Sequence, residues 1–185
     1  MKQGDIIIIP TDTVFGLAAR LYDEVALERI YRLKGREQSK QIPVLVASAD
    51  DVKAFAETDD RFRRLARAFW PGPLSIVLPT TAGHMEKTGE RTVAVRMPAD
   101  PVALDLLRSV GPLRATSLNK SGEPPVVSYE DAIKRFADKV DHVHGSSGTV
   151  MSETASTVIA FDGDEVRILR QGAITQDMIA SVLSD

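Results

Sequence analysis

The sequence contains no cysteine, which excludes disulfides, thiolate nucleophiles and thiolate-bound metals together. A reducing compartment fits that absence. There is no excess of positive charge either: 23 Lys and Arg stand against 26 Asp and Glu, a formal charge of −3. No overall field draws the chain to nucleic acid or membrane, so any anion site has to be local. Long hydrophobic runs are missing as well. The apolar run in the opening MKQGDIIIIPTD is four isoleucines, too short for a signal-peptide core, and nothing approaches the ~20 apolar residues of a membrane span. A soluble, cytoplasmic protein is expected. Repeats, linkers and low-complexity tracts are also lacking, so the 185 residues, 43% of them hydrophobic, read as one globular domain over 1–185.

What is present alternates strand and helix. Ile6 to Ile9 are β-branched and apolar on both faces, which suits a buried strand ended by Pro10. The segment PTDTVFGL reads as a turn. The run DEVALERIYRLK places Leu27, Ile30, Tyr31 and Lys34 at helical spacing, with Glu28 and Arg32 as an i,i+4 pair and Gly35 as the stop. IPVLVA, LSIVLP, TVAVRMP, PLRATS, STVIAF and EVRILR read as strands. DDVKAFAE, DRFRRLARAFW, PVALDLLRSV, SYEDAIKRFA and TQDMIASVL read as helices, with Ser128 and Asp131 spaced like a variant capping box. The class is α/β, or closely interleaved α+β, around a sheet.

The stretch YRLKGREQSK sets Arg32, Lys34, Arg36 and Lys40 around one glycine and against a single acid, Glu37. Cations in a last helical turn complement the helix dipole. The sharper reading is that Lys34 and Arg36, surface cations beside a loop, hold a phosphate chain or a carboxylate, Arg gripping two oxygens and Lys serving as a mobile charge. TSLNKSG is either an Asx-rich turn or a ligand loop at a strand end, where Ser117, Asn119 and Ser121 offer donors and acceptors. SLNK matches the S-x-x-K of serine acyl-enzymes, but its KTG, Lys87 to Gly89, precedes the serine instead of following it. GHMEKT lacks the glycine a P-loop carries before its lysine. His142 and His144, without further ligands, read as structural, so no metal site is expected. Arg61, Arg63, Arg64 and Arg67 read as a solvated face or, more sharply, a patch for an RNA backbone.

Several segments then coincide in chain order. PTDTVFGLAA, KGR, FWPGPLSIVL, VAVRMP, SLNKSGEPP, STVI and ILRQGAI together closely resemble the YrdC/Sua5 family, the L-threonylcarbamoyladenylate synthases, in its short single-domain form. The resemblance implies a twisted mixed sheet flanked by helices, with a concave cationic site. It also implies condensation of L-threonine, bicarbonate and ATP, with Mg2+, to threonylcarbamoyl-AMP and pyrophosphate. The product serves tRNA threonylcarbamoyladenosine modification through downstream transferase proteins. By the same resemblance the K-x-R and S-x-N pairs fall on Lys34, Arg36, Ser117 and Asn119 as catalytic residues. Thr11, Arg36 and Arg96 are expected on the threonine side; Lys34, Ser117, Asn119, Ser156, Thr157 and Arg170 on the nucleotide. No role is fixed for Asp12 and Thr13.

This sequence departs from the family pattern at Phe15, where tyrosine is common, and at Ala47, where some members have histidine. The usual Asp-Gly-Gly turn is replaced around VHGSSG. A second reading makes the chain a double-stranded RNA or tRNA-binding module without ATP turnover. A third, the related domain of hydrogenase-maturation carbamoyltransferases, lacks here the acylphosphatase-like part and zinc motifs that accompany it.

Overall fold

Ile6, Ile7, Ile8 and Ile9 each expose 1% of their surface or less, as expected of a strand covered on both faces. They open a computed structural model that describes residues 1–145, 152, 154–163 and 165–184. The order of elements is β1 (Ile7–Ile9), β2 (Gly16–Arg20), α1 (Glu24–Lys34), β3 (Val44–Leu45), α2 (Asp60–Phe69), β4 (Leu74–Pro79), α3 (Ala82–Thr88), β5 (Thr92–Arg96), α4 (Pro101–Val110), β6 (Leu113–Ser117), α5 (Tyr129–Phe136), β7 (His142–Val143), β8 (Thr157–Asp162), β9 (Glu165–Arg170) and α6 (Gln176–Ser184). The described strands form one mixed sheet in the order β7-β1-β2-β6-β3-β5-β4-β8-β9.

Local chemistry explains the helix ends. Asp23 accepts from Ala26 N to start α1, and Gly35, at φ 59°, ends it in the left-handed conformation that glycine adopts without penalty. Ser128 caps α5 through Asp131 N at 3.1 Å, as its spacing predicts. Glu28 and Arg32 meet at 2.6 Å.

The two sheet faces are covered unequally. Side chains two apart along a strand share a face. On one face, Leu17 and Ala19 pack with α1 and α5, while Leu74, Ile76, Val93 and Val95 pack with α2 and α6. On the other, Ala18, Leu45, Leu113 and Ala115 meet Ala103 and Leu107 of α4. The register extends this second face through Gly16 opposite Ser117, Arg96 opposite Leu45, Ala94 opposite Val77, and Ser75 opposite Val158. Its centre is therefore floored by small side chains, with space above them.

Three sequence expectations change. Gly16 and Leu17, read as the end of a turn, open strand β2 (Gly16–Arg20), whose Gly and Ala residues carry little strand propensity of their own. The strand expected over 42–47 shortens to Val44–Leu45 because the Asp51 carboxylate takes Ala47 N and Ser48 N at 3.1 and 2.9 Å. The helix expected over 50–57 shortens to a 3-10 helix over Asp50–Ala54. The failed P-loop GHMEKT lies in α3, capped by Thr81.

Candidate functional site

Lys34 is buried, with 4% of its surface exposed. This corrects the expectation of a surface cation: α1 ends against the loop after β6, and the Lys34 side chain runs beneath that loop. Its ammonium donates to Asn119 O and Asn119 Oδ1, both at 2.9 Å, and to Ser117 O. Burial, with the Arg36 charge added, lowers its pKa to about 8. Asn119 is fixed in the same way. Its Nδ2 donates to Lys120 O and Glu123 O, so Oδ1 is left to accept from Lys34 and from the Ser117 hydroxyl at 2.6 Å. Ser121 N returns to Lys34 O at 2.7 Å.

Arg36 takes a different position. Past the Gly35 turn its guanidinium donates to Lys40 O and Gln41 O, each at 3.1 Å, and it borders a cavity of about 400 Å³ over the small-residue floor. Arg32 pairs with Glu28 and Lys40 with Glu37, so those two cations stay on the outer surface.

Across the cavity, Arg96 is 7% exposed and is held by Gly72 O at 3.0 Å, Thr13 Oγ1 at 2.9 Å and Asp12 Oδ1 at 2.5 Å. Burial lowers its pKa, Asp12 raises it again, and the nearby Arg170 charge lowers it. Thr11 Oγ1 donates to Val14 O at 2.6 Å and accepts from Val14 N, which shapes the turn between β1 and β2. Asp12, left without a role by the sequence, is thus the carboxylate that holds Arg96. It also accepts from Ala99 N at 2.9 Å.

The third wall is the turn entering β8. Arg170 donates to Ser156 O and Ser156 Oγ, each at 3.0 Å, and Ser156 Oγ lies 2.9 Å from Ser75 Oγ. Thr157 points away from the cavity: its hydroxyl donates to Ile174 O and accepts from Gly172 N and Ile174 N. Gly172 passes so close that a Cβ there would lie 2.3 Å from Ala155 O.

The structure therefore brings Thr11, Arg36, Arg96, Ser117, Ser156 and Arg170 to one cavity. Lys34 and Asn119 stand behind Ser117 and hold it, and Thr157 braces the turn that carries Ser156. Ser75, between Leu74 and Ile76 in an apolar strand, was missed; a lone serine at an alternate position of such a strand is the only signal it gave. The replaced turn at VHGSSG extends into residues 146–148, outside the described residues.

A larger cavity, about 600 Å³, opens on the opposite face between α1 and α3 and contains none of the predicted site residues. Its floor is internally paired: Arg114 donates to Ile42 O at 2.6 Å and to Glu90, which also meets His84 at 3.2 Å. The convergence of guanidinium and hydroxyl groups makes the smaller one the candidate site.

The Arg-rich face of α2 is also internally engaged. Arg61 pairs with Asp59 and stacks over Phe161, Arg63 pairs with Asp60, and Arg64 donates to Val182 O and Leu183 O at the end of α6. His142 lies 3.5 Å from the Asp5 carboxylate.

The mixed-sheet α/β fold that carries this guanidinium- and hydroxyl-lined cavity has solved counterparts. The Sua5/YciO/YrdC family model, described as "Telomere recombination", matches residues 1–172. A Mycobacterium tuberculosis relative is 37% identical over 186 residues, 99% of this chain and 85% of its own. The structure of Pyrococcus abyssi Sua5 complexed with L-threonine superposes with a TM-score of 0.87 at 34% identity, over 97% of this chain; this chain spans about half of that protein, 54%. E. coli YciO superposes with a TM-score of 0.79 at 26% identity, over 92% of this chain and 84% of its own. The chain belongs to the Sua5/YciO/YrdC family. The Pyrococcus abyssi and Bacillus subtilis relatives carry the name threonylcarbamoyl-AMP synthase.

Proposed function

We propose that this protein is an L-threonylcarbamoyladenylate synthase. The observation that carries the reading is the meeting of Arg36, Arg96 and Arg170 around one cavity in a fold that matches a relative complexed with L-threonine. Arg36 and Arg170 each commit two of five N–H donors within the described residues, and Arg96 three. The remaining donors suit carboxylate and phosphate oxygens, which match guanidinium geometry.

The chemistry needs no protein nucleophile. The threonine amine and bicarbonate combine to a carbamate with loss of water. A carbamate oxygen then attacks the α-phosphorus of ATP, the bond to the bridging oxygen breaks, and pyrophosphate leaves with its electron pair. Both partners are anions, so positioning and charge neutralisation carry the catalysis. Arg36 meets the threonine carboxylate or a phosphate, Arg170 neutralises phosphate, and Arg96, with Thr11, lines the threonine side. Lys34 and Asn119 fix the Ser117 loop at the reacting end. Magnesium would accompany ATP as part of the substrate and supply charge neutralisation there; no described carboxylate lines the cavity, so the chain's own contribution is guanidinium and hydroxyl groups.

The product passes to a transferase that modifies tRNA, and the protein works in the cytoplasm. No described helix is long and apolar enough to cross a membrane. The test is pyrophosphate release from ATP, magnesium and bicarbonate with L-threonine present or omitted. Release that depends on threonine and bicarbonate is expected. RNA binding without such release would favour the binding-module reading, although three of its four α2 arginines already have intramolecular partners.

A further inference from the structure

Ser75 and Ser156 approach within 2.9 Å, oxygen to oxygen, and each exposes 4% of its surface while lining the cavity. Their protons can be counted. A guanidinium only donates, so Ser156 Oγ accepts from Arg170 Nη2 at 3.0 Å. The contact between the two hydroxyls uses one of their two protons. Among the described residues neither oxygen has another partner. One O–H donor therefore remains, carried by Ser75 if Ser156 donates to it and by Ser156 if Ser75 donates.

We infer that Ser75 is a ligand-binding residue of the site, and that the Ser75–Ser156 pair supplies one hydrogen bond to an anionic ligand oxygen, carboxylate or phosphoryl, at either of two positions, one at each serine. An anionic acceptor fits because the same wall carries Arg170, and Arg96 is close enough to feel its charge. A buried hydroxyl without an acceptor is costly, so a ligand oxygen there is worth a full hydrogen bond. The two arrangements differ only in the rotation of two O–H bonds. The donor can thus follow charge as it moves from a carboxylated amino acid to an adenylate, with no movement of heavy atoms.

The inference rests on the synthase reading for the identity of the ligands, and the test separates the two. Calorimetry measures L-threonine and, separately, magnesium-ATP binding to wild type, Ser75→Ala, Ser75→Thr and Ser156→Ala, beside initial rates and melting temperature. Ser75→Ala leaves the Ser156 proton as the one donor, so it should melt within a few degrees of wild type and weaken by roughly tenfold or more only the ligand whose oxygen is met at the Ser75 position, the scale of a hydrogen bond to a charged group. The ligand that weakens tells carboxylate from phosphoryl oxygen. Ser75→Thr, which keeps the hydroxyl, should restore binding. Unchanged affinity for both ligands in Ser75→Ala, or equal loss in Ser75→Thr, would overturn the inference. Wild type that binds both ligands without releasing pyrophosphate would remove the synthase reading and leave the serine comparison standing. Wild type that binds neither would overturn both.

Discussion

Lys34 Nζ lies 2.9 Å from both the main-chain oxygen and Oδ1 of Asn119. An ammonium has three protons, and Ser117 O takes the third. Lys34 thus acts on the site by holding the 117–119 loop, and a phosphate contact would require one of these bonds to be exchanged.

Lys34→Met should therefore cost stability as well as turnover. It leaves three acceptors short of a charged donor, and a loss of about 2–3 kcal/mol is expected. Chemical denaturation and pyrophosphate release check the two effects. A variant as stable as wild type would contradict the positioning role.

The lowered Lys34 pKa gives a signed pH dependence. The ammonium form makes the three bonds, so turnover should fall as pH rises through about 8. Lys34→Arg stays charged throughout that range, and the ratio of wild-type to variant rates removes effects of pH on the substrates. Stability moves the other way. The folded chain releases this proton near pH 8 and the unfolded chain near its ordinary 10.5, so between those values the unfolded state binds more protons. The group's contribution to stability then rises with pH. A flat rate ratio from pH 7 to 9.5 would count against the loop-holding role.

Gly172→Ala should impair the site more than the fold. A Cβ at this position would sit 2.3 Å from Ala155 O and 2.4 Å from Thr157 N, both main-chain atoms that cannot swing aside. The turn carrying Ser156 has to shift, and distances of this kind control rate steeply. A turnover loss of at least ~10-fold with a smaller change in melting temperature is expected from kinetics and calorimetry run together.

Glu90→Gln tests the opposite face. Arg114 is 3% exposed and its Nε has no hydrogen-bond partner among the described residues, so the Glu90 carboxylate is its main compensation. Removing that charge strands a buried cation and should cost about 3 kcal/mol. Urea denaturation would show it as a lower midpoint with an unchanged slope.

Much of this was legible in the chain. The isoleucine run, the α1 pattern with its Gly35 stop and the Ser128 cap each depend on neighbours within a turn or a strand, so sequence spacing reports them directly. The motifs that resemble a known family led to six residues that do share a cavity. Strand β2 was hidden because Gly16, Ala18 and Ala19 have weak preferences that only pairing with β1 and β6 overrides. Ser75 was hidden because its partner lies 81 positions away.

The sequence by itself determined the alternation of strands and helices, the local caps and the types of groups available for an anion site. Tertiary structure alone decided how those groups are used. It buried Lys34 and turned its protons onto Ser117 and Asn119, gave Asp12 to Arg96 and set Ser75 beside Ser156. The physical reason is that hydrogen-bond capacity and charge are shared among whichever groups the sheet brings within about 3 Å, and that proximity is a property of register and burial.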